Sequence, residues 1–256
     1  MNHDPIVEMY DIWERYNQVR IVGLKKQANK ILDTFLECFK KQTHETQASF
    51  VDGICTELLD SLPDSNDDLY CGHCFCLGHN GTYVSDSPTR IQFPLFRDAV
   101  LPELIRRYSI GDYRAIRWIG QMASFFYSNQ KFWKHTCEKI NLPWEEAGMM
   151  FFLEKSYAIQ KDQRTLRMII QVCMNSFAYY CHEIPCGILC ESKLMKQEIA
   201  ETQNYLEQLE PSKRKNRWNE RLLQYERIAA CWDDYCTHMS CYDDFRHYMI
   251  VNKVEW

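Results

Sequence analysis

Asp112-Tyr-Arg-Ala-Ile-Arg-Trp-Ile-Gly-Gln121 returns 50 positions later as Asp162-Gln-Arg-Thr-Leu-Arg-Met-Ile-Ile-Gln171. The shared pattern is D-x-R-x-[I/L]-R-x-I-x-Q, with six of ten positions agreeing. Each copy opens on an aspartate able to accept from the free N–H groups of a helix start, and Gly111 supplies a permissive turn before the first copy. Apolar residues then recur at helical spacing: Ala115, Trp118, Ile119 and Met122 in the first copy, Leu166, Ile169, Ile170 and Cys173 in the second.

The similarity extends outward. Tyr108-Ser-Ile110 leads into the first copy and Tyr157-Ala-Ile159 into the second. Further upstream, Phe96 to Arg107 and Trp144 to Lys155 read as helices whose starts match, Phe96-Arg-Asp-Ala99 against Trp144-Glu-Glu-Ala147. A third such start is Phe50-Val-Asp-Gly53, with Asp52, Glu57 and Leu58 aligned on Asp98, Glu103 and Leu104. Self-similarity at this period is the mark of helix pairs that bury their apolar faces against the next pair. The expected fold is therefore all-α: irregular stacked helical hairpins, an α-solenoid-like bundle in one domain spanning 1–256. Its parts are N-terminal helices over 1–60, an insertion over 61–95, two repeated hairpins over 96–190, and C-terminal helices over 191–256.

At the N-terminus, Ile6 to Lys41 reads as helical, with Ile21, Leu24, Ala28, Ile31/Leu32, Phe35 and Cys38 close to helical spacing. At the other end, Glu191 to Glu210 reads as one helix and Trp218 to about His238 as another. The charged run Pro211-Ser-Lys-Arg-Lys-Asn-Arg217 is read as a break between them. The insertion interrupts this pattern with Pro63, Pro88, Pro94 and an Asp/Asn/Ser cluster. Asn80-Gly81, flanked by Cys74-Phe-Cys-Leu77 and Thr82-Tyr-Val84, predicts a small β-hairpin around residues 70–92.

The totals bound the function. The 256 residues carry a formal net charge of −5, which argues against a general affinity for nucleic acid or an anionic membrane. No apolar run is long enough to span a bilayer, and the opening residues lack the features of a signal peptide. The 13 cysteines then fit a reducing, cytoplasmic setting with free, largely buried thiols.

Three groups of residues could carry chemistry, the first of them with two readings. Tyr70-Cys-Gly-His-Cys-Phe-Cys76 contains CGHC, which resembles the dithiol tetrapeptide of disulfide isomerases. A thioredoxin-type site needs a helix starting at the first cysteine, and the Asn80-Gly81 turn leaves no room for one. Cys71-x-x-Cys74 has the spacing of zinc ligands, with Cys76, His73 and His79 as nearby donors and Cys181, His182, Cys186 and Cys190 as remote ones, but no second CxxC closes a four-ligand site. The plainer reading is a strand with packed thiols. Near the C-terminus, Cys231-Trp-Asp-Asp-Tyr-Cys-Thr-His238 resembles Cys241-Tyr-Asp-Asp-Phe-Arg-His247. This tandem offers Asp and His to a divalent metal, although a ten-residue separation on one helix would turn the copies about 80° apart.

The last group is the polar stripe of the repeat. Arg114, Arg117 and Gln121 share one helical face, as do Arg164, Arg167 and Gln171, and Arg106 and Arg107 could extend the row. Arginine forks suit carboxylates and phosphates, so the row is a candidate surface for an acidic protein partner; the plain alternative is a face paired internally with Asp and Glu. G-x-S-x-G, a Gly-rich phosphate loop, H-E-x-x-H and an EF-hand loop are all missing from the sequence. The function expected is a protein-binding helical module, an adaptor or a toxin-neutralising, immunity-like protein; the missing motifs favour binding over catalysis without excluding an enzyme. The alternatives are a metal-dependent protein or enzyme using the Cys/His loop or the Asp/His tandem, and nucleic-acid binding through the arginine row.

Overall fold

The structure, a computed structural model, describes residues 5–60 and 91–254. All regular structure among these residues is helical. The predicted β-hairpin, and with it Cys71, Cys74, Cys76 and His79, lies outside the described residues. The chain divides into two compact units that part between Gln160 and Lys161.

In the N-terminal unit, α1 (Pro5–Ile21) and α2 (Lys25–Lys40) form an antiparallel pair, followed by α3 (His44–Cys55), which runs on through a π-helical turn at Thr56–Asp60. The chain resumes with a single turn, α4 (Phe93–Leu95), and a second π-helical turn at Phe96–Val100. Then come α5 (Leu101–Ser109), α6 (Tyr113–Gln121), α7 (Ser124–Ser128), α8 (Gln130–Lys139) and α9 (Met149–Ile159). The core runs from Met9 through Phe35, Phe50, Phe96 and Trp118 to Phe152, all buried. Aromatic rings tile it, with Trp13, Phe35, Phe39 and Phe50 at one end and Phe126, Trp133 and Phe152 at the other.

The helix ends follow from backbone chemistry. Gly23 stands at φ +81° and Gly111 at φ +77°, the left-handed region that favours glycine. At each, the glycine N–H returns to the carbonyl three residues back and the next N–H to the carbonyl five back, Leu24 to Val19 and Asp112 to Arg107. This double closure satisfies the last carbonyls of α1 and α5. Asp112 then caps α6 as predicted, accepting from the N–H groups of Arg114 and Ala115 at 2.9 and 3.2 Å. One residue thus ends α5 and starts α6, and the two helices fold sharply onto each other.

The N-terminal stretch differs from its expected reading. Gly23 splits it, so Ile21 and Leu24, placed by spacing on a buried face, sit at the turn with 64 % and 51 % of their surface exposed. Residues 144–147, read as the start of a helix matching Phe96–Ala99, form a turn before α9. Residues 93–95, assigned to the insertion, are helical.

In the C-terminal unit, α10 (Gln163–Tyr180), α11 (Ser192–Gln208) and α12 (Lys213–Thr237) pack together. A 3-10 turn (Met239–Cys241) and α13 (Phe245–Val251) fold back on α12. Asp162 caps α10 through the Thr165 N–H at 3.0 Å, again as predicted. The run read as a charged break belongs mostly to α12: Ser212 accepts from the Lys215 N–H at 3.1 Å and starts the helix there. The two copies of the repeat fall in different units. In the first unit α6 packs on α5 and α9, and in the second α10 packs on α11 and α12.

Candidate functional site

Most of the first copy's stripe does not face water. Arg117 and Gln121 are each only 4 % exposed, and Arg114 is half-buried. α6 has apolar neighbours on one side and α3 with its π turn on the other, so its polar face is largely covered as well. Along the α3 side, Asp52, Thr56 and Asp60 follow at intervals of four and meet the arginines.

Asp60 is the hub. Its carboxylate accepts from Arg117 Nη2 at 2.8 Å, Trp118 Nε1 at 3.1 Å and Arg114 Nη2 at 3.3 Å. Arg114 also donates to Thr56 Oγ1 at 2.8 Å. Arg107 bridges two carboxylates, donating to Asp52 at 2.9 Å and to Asp112 at 2.8 Å. The guanidinium groups of Arg107 and Arg114 lie 5.2 and 4.7 Å from the Trp118 ring, within cation–π range. Gln121 Nε2 donates to the Leu59 carbonyl at 3.2 Å.

Three arginines and three aspartates therefore cancel within one network around Trp118. Burial opposes the charge on Arg107, but the Asp52 and Asp112 carboxylates outweigh it and hold the guanidinium more firmly protonated. Burial likewise disfavours the Asp112 carboxylate. Arg107 and the capping N–H groups of Ala115 and Arg114 outweigh that cost and keep its pKa below the usual range. Cys55 sits beside the same charges, fully buried, and its thiol is pushed well above the ordinary range by desolvation, which makes it an unreactive packing group. Arg106 is held apart from the network. It forks onto Glu103 at 2.8 and 2.9 Å, and His44 meets the same carboxylate at 3.1 Å.

The chemistry available to this site is internal cohesion. Its cations already hold carboxylates, so the arginine row proposed for an acidic partner or for phosphates is, in its first half, a joint between α3, α5 and α6. In the second copy Arg164, Arg167 and Gln171 are half-buried on α10, and Gln171 donates to Asn175 at 2.8 Å.

The Asp/His tandem resolves into separate local contacts. Asp234 meets His238 at 3.2 Å and accepts from the Tyr248 hydroxyl at 2.8 Å. Asp243 lies 3.4 Å from His247, Asp244 caps α13 through the His247 N–H, and Asp233 pairs with Lys196. Burial and the neighbouring Asp234 raise the Tyr248 phenol strongly, so it donates rather than ionises. Among the described residues no cluster of three or more His, Cys, Asp or Glu could hold a metal ion.

A second surface was not anticipated. Midway along α12, Leu223 is 54 % exposed and separates two grooves. One, towards α11, is floored by Ile199, Ala200 and Leu222 with the amides of Gln203, Asn204 and Asn219 around it. The other, towards the chain end, is lined by Leu223, Cys231 and Val254 together with the polar Glu220, Gln224, Arg227, Asn252 and Lys253. The sequence signal was Leu222-Leu223, two adjacent leucines of which a helix can bury only one on a narrow stripe. Compared with protein-family models, with curated proteins and with solved structures, the chain matches none. No helix among the described residues is long and apolar enough to cross a membrane.

Proposed function

We propose that the chain is a protein-binding helical module, of the irregular stacked-hairpin kind the repeat suggests, and that α12 presents its contact face. The observation that carries this reading is Leu223, an aliphatic side chain held in water between two grooves, one with Ile199, Ala200 and Leu222 in its lining and one of mixed polar and apolar lining. A groove of this form accepts the apolar side of an amphipathic helix at i, i+3 and i+4 spacing. Arg227 and Lys253, against the single carboxylate of Glu220 in the same groove, leave one net positive charge that favours an acidic residue on the flank of that helix, and the lining amides can pair with polar side chains. The acidic partner expected from the sequence is kept, with the contact moved from the arginine stripe to α12. An adaptor or a toxin-neutralising protein is the kind of chain such a face would serve.

The test is capture of a partner by the full chain from cells that make it, comparing wild type with Leu223→Lys and Arg227→Glu. Loss of one discrete partner with Leu223→Lys, a hot-spot effect of about 2 kcal/mol or roughly 30-fold in Kd, supports the reading. The same proteins retained by all three forms, or none retained by any, refutes it.

A further inference from the structure

The turn between α1 and α2 exposes three consecutive aliphatic side chains around a glycine: Ile21 at 64 %, Val22 at 68 % and Leu24 at 51 %. Such a concentration at a convex helix–helix turn has no packing purpose within the fold, because these side chains point away from the pair they join. Their surroundings are equally one-sided. Between Glu14 and Asp33 the chain contains Arg15, Arg20, Lys25, Lys26 and Lys30 and no acidic residue. Five cations thus fall in one sequence window of a chain whose net charge is −5; Arg15, Lys25, Lys26 and Lys30 are exposed, and Arg20 is half-buried beside the Tyr16 hydroxyl. At about 1.5 Å per helical residue, all five lie within about 9 Å of the apex along the two helices, close to one Debye length.

The backbone of the apex is also closed. The Val22 N–H donates to Gln18 at 3.4 Å, Gly23 to Arg20 at 3.0 Å, Leu24 to Val19 at 3.3 Å and Lys25 to Gly23 at 2.9 Å. Moving the apex out of water would strand none of these four donors.

We propose that the α1–α2 apex is a docking tip for an anionic lipid surface. Ile21, Val22 and Leu24 enter the boundary between headgroups and acyl chains. The recessed cations, with long stems that let their charges reach outward, meet the lipid phosphates and carboxylates. Net charge argues against membranes only as an average over the chain; what a surface meets near the apex is a local excess of four exposed positive charges, Arg15, Lys25, Lys26 and Lys30. A lipid interface suits the tip better than an acidic protein does. The tip is convex, its aliphatic side chains offer no directional hydrogen bonds, and a fluid interface needs no matching pocket. The inference is independent of the α12 face.

The experiment is co-sedimentation of the full chain with phosphatidylcholine vesicles, with and without phosphatidylserine, at low and high salt. Binding is expected only with phosphatidylserine, weakening as salt rises. Each cation removed in Lys25→Ser and Lys26→Ser lowers affinity roughly fivefold. Val22→Asp abolishes binding, whereas Ile110→Ser, an equally exposed residue elsewhere in the same unit, and Leu223→Lys leave it unchanged. A tryptophan placed by Leu24→Trp shifts its emission to the blue on phosphatidylserine vesicles. No sedimentation at low salt, equal binding to both vesicle types, or insensitivity to the lysine variants overturns the proposal. So does a tip that captures an acidic protein through Val22 while ignoring vesicles. Circular dichroism of each variant, all at exposed positions, verifies that the fold is intact.

Discussion

Replacing Asp60 with alanine removes the acceptor shared by Arg114, Arg117 and Trp118. Arg117 is 4 % exposed and the Asp60 side chain 14 %, so the pair is screened far less than a surface ion pair. Breaking a buried pair from one side costs about 3–5 kcal/mol, against about 0–1 kcal/mol at the surface. The small exposure of Asp60 places the expected cost near the lower end, about 3 kcal/mol. For a unit of this size that corresponds to a fall in Tm of about 6–12 °C. The assay is thermal and urea unfolding followed by tryptophan fluorescence, since Trp118 lies inside the network. Glu37→Ala, which deletes the exposed Lys40 pair, is the control and should cost less than about 0.5 kcal/mol. The double variant Asp60→Leu/Arg117→Met should cost much less than the sum of its parts, because it removes both charges together. A Tm drop below about 2 °C for Asp60→Ala would mean that the network is solvated and that the arginines are available at the surface.

Three further outcomes follow from the same coordinates. Asp112 and Glu103 have depressed pKa values: burial opposes each carboxylate, and Arg107 with the capping N–H groups, or Arg106 with His44, overrides it. Their stabilisation is therefore complete above the unfolded values, about 3.9 and 4.3, and is lost as pH falls through them towards the lower folded values. Tm should decline between about pH 5 and pH 2, and Asp112→Asn, which keeps the cap, should flatten that decline; an unchanged slope would contradict the assignment. Gly120→Val should destabilise the first unit by about 1–3 kcal/mol, because an added Cβ meets Phe152 Cβ at 3.0 Å and the Met149 carbonyl at 3.1 Å; an unaltered Tm would show that α6 and α9 are not in close contact. Burial pushes the Cys137 and Cys181 thiols up to about 12, so brief alkylation at pH 8 should label the exposed Cys186 and Cys241 and spare Cys137 and Cys181, as read by peptide mass spectrometry. Equal labelling would refute the burial.

What the sequence revealed and what it hid have physical explanations. Asp112 and Asp162 were legible as caps because capping is local: the acceptor and its N–H donors lie within three residues. Helical class was legible because Ala115, Trp118, Ile119 and their counterparts repeat at the helical period. The direction of the arginine stripe was not, because the groups that decide it, Asp52 and Asp60, lie more than 50 positions upstream. The spacing of Asp52, Thr56 and Asp60 at four-residue intervals on α3 was the signal that could have paired them. The position of Gly120 is occupied by Ile170 in the second copy; in the first copy the missing Cβ leaves room for Phe152 and the Met149 carbonyl. The split at Gly23 was hidden because Ile21 and Leu24 fit a helical period by themselves. A glycine between two exposed aliphatic residues outweighed that period, and only the backbone conformation made this plain.

The account stands or falls most directly on where a partner touches the chain. A photo-crosslinking residue placed at position 223, and in parallel at position 114, in the full chain made in its own cells decides it. Crosslinking of one discrete protein from position 223, lost with Arg227→Glu and absent from position 114, is the predicted result. Crosslinking from position 114 with none from 223 would contradict it, returning the contact to the arginine stripe.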